Sequence, residues 1–377
     1  MNVETFNYSL ESLAPFFYLN KRNRKNIYIF PTEKEALEFY NNFSNFVPEA
    51  SHFPAWDTLS YDSFIPSLEI QGKRLQTLHN VLVSDYFDIA MSMKSFTQKI
   101  FINDLDVIDL EIRQEVDFEN LIENLAHLGY VNKDRVESRG TFSIRGGQID
   151  IYPLNSEYPA RIIFNGDEVA ELKLFDYISQ RSIKNIKKVL ITPSSELFQT
   201  NQEDIYKSLE IESKKNLDEY ELFQFSQNLK SFKTLLDFVP DGVSMNIIDF
   251  NVCKETFSEI QKTEEDSFNN LQNYFSINVS TMKSRYVDTL TELNRFETSF
   301  YATNDLEKII NVPQFLDGLS ADKVLQKINN ISEVYLSSGN ERIIEKFSGI
   351  NNLQILENSF SYSAVFPEMS IAVIDES

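Results

Sequence analysis

The sequence predicts an α/β protein with a small antiparallel-sheet α+β module set within it, followed by a further small α/β unit. Three stretches carry this expectation. Residues 139–182 read as short strands, rich in β-branched and aromatic residues and joined by glycine turns. Residues 26–91 alternate brief apolar strands with amphipathic helices, and residues 331–375 repeat the alternation, as expected of a parallel sheet covered by helices.

Asn26 to Phe30 is an apolar strand, and Pro31-Thr32 opens a helix with Ala36, Leu37, Tyr40 and Phe43 on one face. The segment Phe53 to Asp62 is not regular helix and reads as a strand leading into an ordered loop. Its Trp56, beside Pro54 and near Leu59, suits a core position better than a base-stacking one. Ser67 begins a helix through Leu75, Leu78 and Leu82, and Phe87 to Met91 is a buried strand.

In the central module, Asp117 to Leu128 sets Phe118, Leu121, Ile122, Leu125 and Leu128 at helical spacing, with Gly129 as the C-terminal cap. Thr141 to Ile144 and Gln148 to Tyr152 pair about Arg145-Gly146-Gly147. Ala160 to Phe164 and Glu168 to Phe175 form a second pair. The Asn165-Gly166 dipeptide between them signals a hairpin turn with both positions at φ > 0.

Lys188 to Thr192 is a strand ended by Pro193. The chain then turns helical and acidic: Leu217 to Phe238 carries aromatic and leucine residues at mixed spacing, and Val243 to Asp249 is a strand. Cys253 to Phe275 is a long helix whose Glu264-Glu265-Asp266 run reads as a solvated face. Strands at Ile331 to Leu336, Leu353 to Leu356 and Ile371 to Asp375, with a helix at Asn340 to Phe347, predict a small parallel sheet. The chain stops just after the last strand, as if cut at a domain boundary.

A chain of 377 residues is long enough for two or three domains with substantial cores, and 42% hydrophobic residues with 31 Phe exclude a disordered protein. A formal charge of -22 argues against holding nucleic acid by bulk attraction, so any such contact needs a local basic patch. Lys21-Arg22-Asn23-Arg24-Lys25 is the dense one, and it reads as a solvated loop before a strand. A single cysteine, the lack of a long apolar run and the lack of a basic-then-apolar start predict a soluble cytoplasmic protein with no membrane partner. No Gly-x-x-x-x-Gly-Lys-Ser/Thr or Gly-x-Gly-x-x-Gly occurs, and His52, His79 and His127 stand apart. Cys253 reads as a packed thiol. No catalytic residue, metal site or cofactor is therefore expected of this chain.

The pattern Gly140, Phe142, Arg145-Gly146, Ile149-Asp150-Ile151, Tyr152-Pro153 resembles the second domain shared by the bacterial transcription-repair coupling factors and the excision-repair helicase UvrB. Phe175-Asp176 followed by Ser179-Gln180-Arg181-Ser182 is similar to the coupling factors. So are Trp56-Asp57-Thr58-Leu59, Tyr61-Asp62-Ser63-Phe64, Glu69-Ile70, Arg74-Leu75, Thr192-Pro193 with Glu196, and Leu235 to Pro240. The resemblance is strong over residues 50–200 and continues more weakly to the end.

The resemblance implies a degenerate helicase-like (UvrB-like) α/β domain that has lost nucleotide binding. It would be formed by residues 1–105 and 193–300 around an inserted interaction domain at 106–192, with a small α/β domain at 301–377. It also implies docking of UvrA on the inserted domain. The full-length protein would continue into a polymerase-binding domain and an ATP-dependent motor, with RNA polymerase and double-stranded DNA as further partners. The family's UvrA contacts correspond to Arg145, Arg161 and an aromatic position occupied here by Asn165, with Phe164 one step away on the opposite strand face. Physically, an arginine beside a Gly-Gly turn or on a sheet strand is a bidentate donor of the kind interfaces favour. Each is equally able to pair with a local acid such as Asp150 or Glu168. A UvrB-type ATP-hydrolysing helicase and a nucleic-acid-binding module using residues 21–25 are the alternative readings.

Overall fold

The computed structural model describes residues 25–61, 64–102, 104–198, 202–209, 217–229, 231–271, 283–301, 314–315, 319–338, 340–356, 364–366 and 371–375, together with Ala14 and Phe17. In chain order the first elements are β1 (Lys25–Phe30), α1 (Glu33–Phe43), β2 (Ser51–Phe53), α2 (Leu68–Val83), β3 (Phe87–Ser92) and α3 (Met93–Thr97). Next come β4 (Ile108–Glu111), α4 (Phe118–His127), β5 (Val131–Asn132), β6 (Thr141–Arg145), β7 (Gln148–Ile151), β8 (Ala160–Asn165), β9 (Glu168–Phe175), β10 (Ser182–Ile186) and β11 (Lys188–Ile191). The third stretch holds α5 (Gln202–Leu209), α6 (Glu219–Ser226), β12 (Ser244–Ile248), α7 (Phe250–Leu271) and β13 (Glu297–Tyr301). The last holds β14 (Gln314–Phe315), α8 (Ala321–Ile328), β15 (Glu333–Ser337), α9 (Glu341–Phe347), β16 (Leu353–Leu356), β17 (Ala364–Phe366) and β18 (Ile371–Asp375). The expected helix end at 272–275 and the basic residues 21–24 lie outside the described residues.

The first sheet has the order β13-β12-β1-β3-β2, with every pairing parallel. It draws strands from residues 25–92 and from residues 244–301. Alternation along β1 feeds two cores: Ile27 and Ile29 pack with Leu75 and Leu78 of α2 and Cys253 of α7, whereas Tyr28 and Phe30 pack with Ala36, Phe39 and Phe43 of α1. The N-terminus of α1 is fixed by a reciprocal capping box between Thr32 and Glu35, which contributes about 1 kcal/mol.

The second sheet has the order β10-β9-β8-β7-β6-β5, antiparallel except for the short β5–β6 pair. One face packs on α4 through Phe142, Ile149, Ile151, Ile162 and Leu172 against Leu121 and Leu125. β4 and β11 pair antiparallel beside it, so the strands leading into and out of this unit are hydrogen-bonded to each other. The loop after β7 reaches the first unit: Leu154 is buried in its core, and a Cβ at Gly72 of α2 would sit 2.1 Å from Leu154 O. Asn155 Nδ2 donates to Gln76 Oε1 of α2 at 2.7 Å and to Leu190 O at 3.2 Å.

A buried polar knot also ties distant stretches together. Arg74 and Glu196, both with fully buried side chains, meet at 2.7 Å, and Trp56 Nε1 donates to the same carboxylate oxygen at 2.8 Å. Arg74 Nη1 donates to Pro54 O and Gln98 Oε1. Burial pushes the Glu196 carboxyl up, opposed by Arg74 and Trp56. The Arg285 guanidinium lies 5.0 Å from the Trp56 ring centroid and that of Arg74 5.8 Å. Trp56 is thus a core residue, as its setting predicts.

Several expectations are corrected. The three strands expected in the C-terminal sheet do pair in parallel, as β16-β15-β18, but β17 and β14, which the sequence reading lacks, extend it antiparallel, so the whole sheet is mixed. Glu264 is buried, not solvated: its carboxylate accepts from Ser60 Oγ, Ser284 Oγ and Arg285 N, while Glu265 and Asp266 are exposed. Where the sequence has mixed spacing, the described residues of 217–238 hold the short helix α6 and a 3-10 turn at Leu235–Asp237. Asn165 does not occupy the hairpin turn. The turn is Gly166-Asp167, with Gly166 at φ 63° and Asn165 the last strand residue, so only one turn position is left-handed.

Candidate protein-docking site

The second sheet has one face on α4 and one face free of it. Strand alternation decides which side chains lie where. Across the ladder, Ser143 pairs with Asp150 and Arg145 with Gln148; Gln148 pairs in turn with Ile163, and Asp150 with Arg161. Asn165 stands two residues beyond Ile163 on β8, and Lys173 pairs with Arg161 from β9. Arg145, Gln148, Arg161, Ile163, Asn165 and Lys173 therefore share the face away from α4. Phe164 points the other way, buried against Phe118 at 5.1 Å between ring centroids.

Two glycine turns shape one end of this face. Gly146-Gly147 joins β6 to β7 with Gly146 at φ 59°, and Gly166-Asp167 joins β8 to β9. Both tips lie at the same end, since Phe164 N donates to Gly147 O at 2.8 Å. A left-handed first turn position followed by a right-handed one matches the twist of a two-residue hairpin and favours glycine there.

The two arginines differ. Arg161 Nε and Nη2 donate to the two carboxylate oxygens of Asp150, each at 2.8 Å, and Gln148 Nε2 donates to Asp150 Oδ1 at 2.9 Å. The Asp150 side chain is 4% exposed and that of Arg161 17%. The guanidinium lies 4.6 Å from the Phe175 centroid, and the Asp150 hydrogen bond raises its pKa further. Arg145 is exposed, and its Nη2 donates to Asp134 O at 2.8 Å, a backbone oxygen rather than an acid. Of the two open readings, local pairing holds for Arg161, and Arg145 is left with most of its donors toward solvent. Glu168 takes neither arginine; it sits opposite Asn165 across the turn.

The crevice after β1 is where a nucleotide-binding α/β protein places its phosphate loop. Here Pro31-Thr32 joins β1 to the start of α1 at Glu33. Glu35 Oε2 accepts from Thr32 N at 3.0 Å, and Glu33 accepts from Ser92 Oγ at 2.6 Å and lies 3.1 Å from His52 Nε2. Burial pushes the Glu33 carboxyl up, but His52 and Ser92 outweigh it and hold it below its usual range. Two carboxylates thus occupy the helix end that a phosphate would need. Among the described residues no group of His, Cys, Asp and Glu is arranged to hold a metal, and no helix is long and apolar enough to cross a membrane. Cys253 is buried, and burial pushes its thiol well up.

The face away from α4 is partly covered, with Phe175 buried against Val136 and Tyr152, and leaves Arg145 and Asn165 exposed. The profile of the UvrB interaction domain matches residues 108–197. The chain is related to the N-terminal region of the transcription-repair-coupling factors. It is 28% identical to that of Escherichia coli K12 over 175 residues, covering 45% of this chain and 15% of the relative. It is 30% identical to that of Mycobacterium bovis over 142 residues, covering 35% and 12%. It is also similar to UvrABC system protein B of Thermotoga neapolitana, 26% identical over 205 residues, covering 50% and 31%. The chain thus spans less than a third of the length of each of these relatives.

Proposed function

We propose that this chain is a docking platform of a transcription-repair coupling factor, and that the face of the second sheet away from α4, at its two-turn end, takes UvrA. In this reading Arg145 is the exposed anchor, Arg161 is a pre-ordered neighbour held by Asp150, and Asn165 lines the same face where the family places an aromatic residue. The observation that carries the reading is the shared face: three positions separated in sequence by up to 20 residues come together beside two rigid turns. The division into a helicase-like domain (1–105 and 193–300), an inserted domain (106–192) and a small domain (301–377) rests on the parallel sheet drawing β1–β3 and β12–β13 from either side of the module. Recruitment of UvrA to RNA polymerase stalled at lesions, and ATP-driven movement on double-stranded DNA, would belong to the full-length protein.

Calorimetric titration of the full chain with UvrA tests this reading, with Asn165→Phe as a directional variant. Added aromatic area at that position is expected to tighten the complex, whereas unchanged affinity would remove Asn165 from the site. The similarity to UvrABC system protein B favours one second reading, an ATP-dependent helicase subunit. Acidic occupation of the crevice after β1 speaks against it, and micromolar ATP binding or hydrolysis by this chain would establish it.

A further inference from the structure

β10 is an edge strand of the second sheet, pairing only with β9 among the described residues, and the turn before it is tied by several hydrogen bonds. Asp176 Oδ1 accepts from Ser179 N at 2.6 Å, Gln180 N donates to Asp176 O at 2.7 Å, and Asp176 N donates to Arg181 O at 2.9 Å. Arg135 Nη2 donates to Ile178 O at 2.6 Å, and Gln180 Nε2 donates to Tyr177 O at 2.7 Å. Gln180 itself sits at φ 61°, a left-handed conformation that a non-glycine residue keeps only where its surroundings impose it. The turn so fixed presents Ile178 with 70% of its surface exposed, and Ile183 follows on β10 at 49%. Between and beyond them, Arg181, Lys184 and Lys187 are exposed and make no ion pair among the described residues. Residues 177–194 contain no acid, in a chain with 57 acidic residues against 35 basic ones.

We propose that the 176–181 turn and the open edge of β10 form a second docking surface, which takes an acidic, extended segment of a partner protein as an added strand. An edge strand exposes a row of unpaired backbone groups, and lysines on it usually serve to block association. Here Lys184 on β10 and Lys187 just beyond it stand with exposed Ile183 and with Ile178 of the turn, so the edge repels a like-charged strand while offering apolar anchors to an acidic one. A second copy of β10 is disfavoured by the same cations. This surface lies at the sheet edge, apart from the Arg145 face, and does not depend on UvrA docking there.

The test uses the full chain and a fluorescent peptide of alternating valine and glutamate matched in length to β10. Saturable binding that falls with salt is expected, with amide-exchange protection across 181–187. Lys184→Glu with Lys187→Glu is expected to weaken it about tenfold or more, and Ile178→Ala to weaken it with an unchanged melting temperature. Absence of saturable binding, equal binding by the charge-reversed variant, or protection confined to the Arg145 face would overturn the proposal. So would tighter binding of a single-stranded oligonucleotide of the same charge, which would make the strip a nucleic-acid contact instead.

Discussion

Arg161 and Asp150 face each other across β8 and β7 through two 2.8 Å hydrogen bonds, and this pair separates the two arginines of the sheet face into different physical roles. Arg161→Ala leaves a buried carboxylate with Gln148 as its remaining side-chain donor. We expect it to destabilise the protein by about 1–3 kcal/mol. Arg145→Ala, at an exposed site, should change stability by no more than about 0.5 kcal/mol. Urea unfolding of the two variants checks this, and equal destabilisation would contradict it.

Gly72 leaves room for the backbone at Leu154 to pass against α2. Alanine has the better helix propensity, but its Cβ would lie 2.1 Å from a backbone oxygen that cannot move without disturbing Asn155. Gly72→Ala is expected to cost about 1–3 kcal/mol, as overpacking does. A neutral or stabilising effect in urea unfolding would show that the two units separate at this contact.

The Arg74–Glu196 pair links α2 to a residue beyond the second sheet with no exposed surface on either side chain. Arg74→Met should cost about 3–5 kcal/mol by stranding a buried carboxylate, and adding Glu196→Gln should recover part of that loss. A double-mutant cycle with no coupling would refute the pairing.

Lys99 provides a pH test. Burial pushes its ammonium pKa down from 10.5 to about 8, while Nζ donates to Gln227 O at 3.2 Å. Below about pH 8 both the folded and the unfolded chain are protonated there. Between about 8 and 10.5 the unfolded chain binds more protons, so this residue makes stability rise with pH. Lys99→Met should remove that rise relative to the parent, measured as unfolding free energy across this range. Parallel profiles for the two proteins would contradict the assignment.

The sequence made the second sheet legible because its inner face alternates cleanly, as in Gln148-Ile149-Asp150-Ile151, and because Gly146 marks its first turn. The Asn-Gly pair placed the second turn one residue early, since local turn preference does not reveal which residue the ladder claims. β10 is not legible in the sequence because Ser182–Asn185 is exposed, Ile183 included, so the strand carries no burial pattern to detect. Glu264 looked like its neighbours Glu265 and Asp266; its partners Ser60 and Ser284 are brought to it only by the tertiary fold. The expected site residues do share one face, but the Asp150 pairing that distinguishes Arg161 from Arg145 was one of two readings that the sequence left open.

The most direct test of the docking account is titration of UvrA with the full chain carrying Arg145→Ala, at fixed salt and with the melting temperature measured in parallel. The account predicts a complex weakened by about 1–4 kcal/mol with the fold unchanged, because an exposed arginine contributes little to stability and much to a desolvated interface. Parent-like affinity in a folded Arg145→Ala protein would contradict it and place any UvrA contact elsewhere on the chain.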